Sequence, residues 1–177
     1  TESYRNGDPI LNLIGNTSED CDLYYSGEGV VAVYGETWGC TSDCTSWLTP
    51  CSSAEGVLMS FGRHYNGYSI LDSRGLCPTG WHPSTDEDWL DLESTLGMAS
   101  AEVDNYGERG DIAPALKSPE LWCGDDSGLG DSGFSALPAG TIYDDCGYST
   151  GALGEGWWWS ISGSGQSVFR RINAGTD

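Results

Sequence analysis

Hydrophobic and polar positions follow a helical period in one stretch and a strand period in several others. Trp89, Leu92 and Leu96 stand at i, i+3 and i+7 among acidic and polar neighbours. That spacing predicts one apolar stripe on a helix over residues 86–96. The helix carries its own boundaries. Ser84 or Thr85 offers an N-cap, and Glu87 or Asp88 can close a capping box. Asp86, Glu87 and Asp88 suit the positive end of the helix dipole. Gly97 is placed to stop the helix in a left-handed conformation. Just upstream, Pro78 fixes its own φ and Gly80 permits a turn, so the chain bends at a definite corner. Cys77 and Trp81 flank that corner, which predicts that the segment docks into a core through both.

Elsewhere the pattern is of short strands and turns. Ile10–Ile14 is an apolar run ended by Gly15, readable as a buried strand or as an arm docking on a neighbour. Gly29–Tyr34 is β-branched and bounded by glycine, a strand. Val57–Phe61 reads as a strand and Tyr65–Leu71 as a short mixed segment. Ser100–Asp104 and Ala113–Ser118 read as short helical pieces. Residues 120–132 and 143–156 are long loops, the first rich in Gly and Asp. Phe134–Leu137 between them reads as a buried strand ending at Pro138. Trp157–Trp159 and Val168–Ile172 read as paired strands around a Ser/Gly turn at residues 162–165. Helices followed by a sheet with long loops is an α+β layout. Neighbouring strand residues face opposite sides, so Trp157, Trp158 and Trp159 cannot share one face. Either Trp158 or the outer pair points away from the core. An outward Trp can stack on a sugar ring or anchor a protein, which makes these three the candidate ligand-binding residues.

Several of these pieces together resemble one family. Leu71-Asp72-Ser73-Arg74-Gly75-Leu76-Cys77-Pro78-Thr79-Gly80-Trp81-His82, Trp89, Leu96-Gly97-Met98, Leu116-Lys117-Ser118 and Gly133-Phe134-Ser135-Ala136-Leu137-Pro138-Ala139-Gly140 are similar to its successive landmarks. Trp157-Trp158-Trp159-Ser160 and Phe169-Arg170 are similar to its later ones. The family is the Fibrobacter succinogenes major paralogous domain, and the ordered set covers about residues 56–172. The resemblance implies an extracytoplasmic module without known catalysis. It also implies a C-type-lectin-like fold with short helices, a twisted antiparallel sheet and long loops. Residues 1–36 carry none of the landmarks and are expected to form an N-terminal extension. The lectin-like domain is then expected over 37–177, with a Cys-rich insert at 39–53.

Charge narrows the partners. There are 27 acids against 7 bases, a net charge of −20. Such a chain repels phosphate backbones and anionic membrane surfaces, which excludes nucleic acid as a partner. No hydrophobic run approaches the roughly 18 residues that span a bilayer. The seven cysteines, Cys21, Cys40, Cys44, Cys51, Cys77, Cys123 and Cys146, point to disulfides and an oxidising compartment. Their spacing is not that of a zinc site. Seven is odd, so one thiol is left over. The resembled family continues into a last strand carrying a Cys. The resemblance therefore implies that Cys77 pairs there and that the chain is incomplete after Asp177. Asn16-Thr17-Ser18 is an N-glycosylation sequon.

Catalytic constellations are weak. Gly130-Asp131-Ser132-Gly133 repeats the tetrad around a chymotrypsin-like nucleophile, yet His64 and His82 stand in no matching context. A turn before Phe134 explains the tetrad, and His82 is expected to hydrogen-bond within its own turn. Acid pairs for glycoside hydrolysis are numerous but unmarked. Asp125, Asp126 and Asp131 with intervening glycines offer the oxygens that calcium takes, without EF-hand spacing. The expected function is a secreted or cell-surface, non-enzymatic binding or adhesion module for glycan or protein. The alternatives are a self-assembling subunit of an extracellular filament or surface layer and, behind it, a hydrolase.

Overall fold

The computed structural model describes residues 3–13, 30–32, 59–103, 105, 107–123, 128–142 and 149–175. The fold is α+β, with four short helices and seven strands named among those residues. The helices are α1 (Gly67–Leu71), α2 (Asp86–Thr95), α3 (Ser100–Val103) and α4 (Ala113–Leu116). The strands are β1 (Leu11–Leu13), β2 (Val30–Ala32), β3 (His64–Tyr65), β4 (Thr141–Ile142), β5 (Ser149–Thr150), β6 (Glu155–Ile161) and β7 (Ser167–Asn173).

Among the described residues the expected antiparallel pairing is present in small sheets, β4-β5 and β6-β7, and no described strand joins these two. The strands form three small sheets, ordered β1-β2-β3, β4-β5 and β6-β7. The first is mixed: β1 runs parallel to β2, and β2 antiparallel to β3. Residues 11–13 of that apolar run thus enter a sheet of their own chain, with Ile10 buried beside it. Ile10 and Tyr4 make a small cluster with Tyr65 and Leu76. Arg74 seals that corner. Its guanidinium lies 4.0 Å from the Tyr4 ring centroid and 2.6 Å from Asp72. The Arg74 hydrogen bond holds the Asp72 carboxyl down at about 2.

Helix α2 begins and ends where its sequence says. Thr85 is the N-cap: its hydroxyl accepts from the Asp88 amide, and the Asp88 carboxylate accepts from the Thr85 amide at 2.8 Å. Those bonds hold the Asp88 carboxyl below its ordinary range, with His82 adding to the effect. At the other end Gly97 has φ +95°. Gly97 N–H donates to the Ser94 carbonyl and Met98 N–H to that of Glu93, the paired bonds of a Schellman stop. Trp89 is buried, and Leu92 and Leu96 pack against the core.

That core holds Met98, Val103, Ile112, Leu116, Trp122, Ala136 and Ile172. The segment 134–137 is not a regular strand. Gly133 at φ +74° and Ser135 at φ +51° break the extension. One bridge remains, Lys117 to Ala136, where Ala136 N–H donates to the Leu116 carbonyl and Ser118 N–H to that of Ala136. Residues 59–61, expected as the end of a strand, are helical, with Met59 80% exposed.

Candidate functional site

The hairpin β6–β7 carries the tryptophan run, and its two faces differ. Register pairs Trp157 with Arg171, Trp158 with Arg170 and Trp159 with Phe169. Gly156, Trp158 and Ser160 therefore share one face with Ile172, Arg170 and Val168. This face meets α2. Trp158 lies 6.4 Å from Trp89 and 5.8 Å from Phe134, ring centroid to centroid. Its large ring fits because Gly156 and Ser160 flank it with little side chain. A Cβ on Gly156 would collide with that ring and sit 2.7 Å from the Leu137 carbonyl oxygen.

Below the rings lies an ion network. The Glu93 carboxylate is 2.8 Å from the Arg109 guanidinium and 3.5 Å from Arg170 Nε. Arg170 also reaches Asp86 at 3.0 Å. The Glu93 side chain is only 6% exposed, so its two arginines are what make burying it tolerable.

The opposite face holds Trp157, Trp159, Phe169 and Arg171. Trp159 is covered: its indole N–H donates to the Tyr65 carbonyl, and its ring lies near Gly67 of α1. Trp157 is half-buried beside Phe169, at 4.6 Å between centroids, with the Arg171 guanidinium 5.3 Å from its ring. Its indole N–H is buried without an acceptor among the described residues. Of the run, Trp158 thus faces the core and the outer pair faces away from it. Phe169, across the strand, is 52% exposed.

Among the described residues the aromatic most open to solvent lies elsewhere. Trp81 is 73% exposed, so the corner does not dock through it as its sequence suggested. The corner itself is firm. Trp81 N–H donates to the Pro78 carbonyl, closing the turn, and Gly80 takes φ +88°. His82 Nε2 lies 3.1 Å from the Asp88 carboxylate, joining the turn to the first turn of α2. Ser84 ties the same segment to the hairpin: its hydroxyl donates to the Trp159 carbonyl at 2.7 Å and accepts from the Trp89 indole at 3.1 Å. Sequence reasoning missed Trp81 as a surface residue. The available signal was the exposed-turn chemistry of Pro78, Thr79 and Gly80 on its N-terminal side.

Other candidate residues fall as follows. Cys77 is a free, half-buried thiol, and burial raises its pKa, which keeps it protonated and a poor nucleophile. Cys123 is disulfide-bonded. Asn16, Cys21, Cys40, Cys44, Cys51, Cys146, Asp125 and Asp126 lie outside the described residues. Asp131 is exposed. Among the described residues no group of three or more His, Cys, Asp or Glu is placed to hold a metal ion. Ser132 belongs to a turn, its hydroxyl accepting from the Phe134 amide at 3.1 Å. His64 Nε2 lies 3.2 Å from the Gly140 carbonyl oxygen. Neither contact pairs a nucleophile with a base. Among the described residues no helix is long and apolar enough to cross a membrane.

No curated protein and no solved structure matches the chain. A family model does, and its match takes in the N-terminal residues as well as the corner, α2 and the hairpin. Over residues 1–175 it is the model of the Fibrobacter succinogenes major domain, and the chain belongs to that family.

Proposed function

We propose that this protein is a secreted or cell-surface recognition module of C-type-lectin-like construction that binds a glycan or a protein and catalyses nothing. The observation that carries the reading is Trp81, 73% exposed on a turn that is closed by its own hydrogen bond and fastened to α2. A large apolar ring held in water by a rigid support gains by covering itself, and loses little conformational entropy when it does. Supporting the lectin-like part are the short capped helix, the hairpin packed on it and the long connections around them. The oxidised Cys123 supports an extracytoplasmic setting. The non-enzymatic part rests on the structural engagement of the described Ser132, His64 and His82.

Arrays of glycans and of extracellular proteins, probed with the intact chain and with Trp81→Ala, test this. The expected result is a ligand whose affinity falls at least tenfold in the variant while thermal unfolding is unchanged. A ligand bound equally by both would remove Trp81 from the site. Turnover of any glycan or peptide bond by the intact chain would end the non-enzymatic reading.

A further inference from the structure

The two borders of the hairpin are unequal. In its ladder Ser162 N–H donates to the Gln166 carbonyl, which sets the alternation of inward and outward backbone groups. On β6 the outward groups belong to Glu155, Trp157, Trp159 and Ile161. This border is occupied. Ile161 N–H donates to the Ser84 carbonyl, the Trp159 carbonyl accepts from the Ser84 hydroxyl, and the Glu155 carbonyl accepts from Gly140 N–H. On β7 the same alternation turns Ser167, Phe169, Arg171 and Asn173 outward. Asn173 is engaged elsewhere. The outward N–H and C=O groups of Ser167, Phe169 and Arg171 take part in no backbone hydrogen bond among the described residues. Phe169 is 52% exposed beside them, and Arg171 is exposed as well. An open run of strand backbone next to an exposed aromatic is a template for another strand.

We propose that the occupant of this border is β7 of a second copy of the chain, joined antiparallel about a twofold axis at Phe169. Two features of the strand choose that occupant and that register. First, only residues 167, 169 and 171 offer outward groups, and a twofold at Phe169 sets all of them opposite one another. Phe169 faces its own copy, and Ser167 faces Arg171. The two strands would exchange hydrogen bonds at three successive pairs, with aromatic on aromatic at the centre. Second, this register keeps like charges apart. Arg171 meets Ser167 of the other copy and Arg170 meets its Val168, whereas a twofold at Arg171 would set guanidinium against guanidinium. Ser167–Asn173 also carries two arginines and no acid in a chain of net charge −20. With Arg170 beside Asp86 and Glu93 and Arg171 beside Glu155, the strand adds little to the repulsion of two acidic chains. The product is a four-stranded sheet in the order β6-β7-β7-β6. This pairing is independent of Trp81, which lies before α2 and not on the strand.

Sedimentation velocity of the full chain over a wide concentration range tests the pairing, read together with amide hydrogen exchange. The expected result is a monomer–dimer equilibrium that strengthens as salt rises, because screening relieves the repulsion of two acidic chains. Phe169 and Arg171 N–H should exchange slowly in the dimer and rapidly in diluted monomer. Phe169→Pro deletes an outward N–H and the aromatic but no bond between β6 and β7. It should weaken dimerisation at least tenfold. Circular dichroism separates this from misfolding, and Phe169→Ser, which keeps the donor, should fall between the two. Monomer at every concentration overturns the proposal. So does a dimer in which the two amides exchange freely, or one that Phe169→Pro leaves intact. Protection that appears only on adding a foreign extended peptide would assign the border to another partner and equally overturn it.

Discussion

Trp157 and Trp158 are neighbours in sequence, identical in chemistry and opposite in fate. Trp158 enters a face where α2 supplies Trp89 and the loop at 134 supplies Phe134. Trp157 enters a face where, among the described residues, its ring contacts are one phenyl ring and one arginine from the adjacent strand. The strand period decides only that the two must part. Both rings are partly buried, and what each packs against is decided by what the rest of the chain brings to its side.

The largest effects should come from the α2 side. Trp158→Ala removes the ring that Trp89, Phe134 and Gly156 are built around and is expected to cost about 3–5 kcal/mol. Trp157→Ala, at a ring likewise half-buried but outside the core cluster, should cost about 2 kcal/mol. Urea unfolding of both variants measures the gap, and equal losses would show that the two faces are equally built.

Glu93→Ala should cost about 3 kcal/mol, since it leaves the Arg109 and Arg170 charges facing each other in a poorly hydrated place. The same unfolding experiment reads it. Adding Arg109→Ala to Glu93→Ala should return part of the loss, because one of the stranded charges is then gone.

A smaller contrast lies in two glycines. Gly156→Ala drives a methyl group against the Trp158 ring and a backbone carbonyl, an overpacking worth about 1–3 kcal/mol. Gly67→Ala meets the Ser167 hydroxyl, 2.5 Å from the added carbon, which can rotate away, and the Ser167 Cβ at 3.1 Å, which must give by a few tenths of an ångström. Alanine also suits the start of α1 better than glycine does, so this change should be close to neutral. Thermal melts of the pair show whether the outer face yields where the inner one does not.

The smallest effect should be one of pH. Burial of His64, on the β3 side of the hairpin, pushes its pKa below the ordinary 6.5. The folded state therefore holds this ring neutral. Its contribution is complete above about 6.5 and shrinks as pH falls below that value, when the unfolded chain takes up the proton more readily. Between pH 7.5 and 5.5, values chosen as roughly a unit either side of the histidine range, the native chain should lose stability. His64→Gln should lose less over the same interval.

Much of the α2 side was legible in the sequence because its signals are local. The Thr85–Asp88 box, the Gly97 stop and the stripe of Trp89, Leu92 and Leu96 each need only a few consecutive residues, and all three hold. The hairpin was legible for the same reason, with its Ser/Gly turn between two runs of strand-forming residues. What failed depended on distant partners. Trp81 was assigned to the core because it flanks the corner before α2, yet among the described residues no element arrives to cover it. Residues 134–137 have strand composition, but Gly133 and Ser135 take positive φ, and the buried backbone is satisfied by Leu116 and Ser118 instead. Strand runs at residues 11–13 and 30–32 were visible, whereas the short strand at 64–65 was not, and that the first two run parallel follows from a topology that short runs do not encode.

The serine that precedes α2 has one more consequence. By fastening the border of β6, Ser84 leaves the hairpin with room for a single neighbour. A ribbon closed along one margin can join a like ribbon and then has no margin left. If β7 pairs as proposed, crowded solutions would fill with pairs and not extend along that direction, a limit on growth set by the Ser84 hydroxyl and carbonyl together with the Gly140 amide.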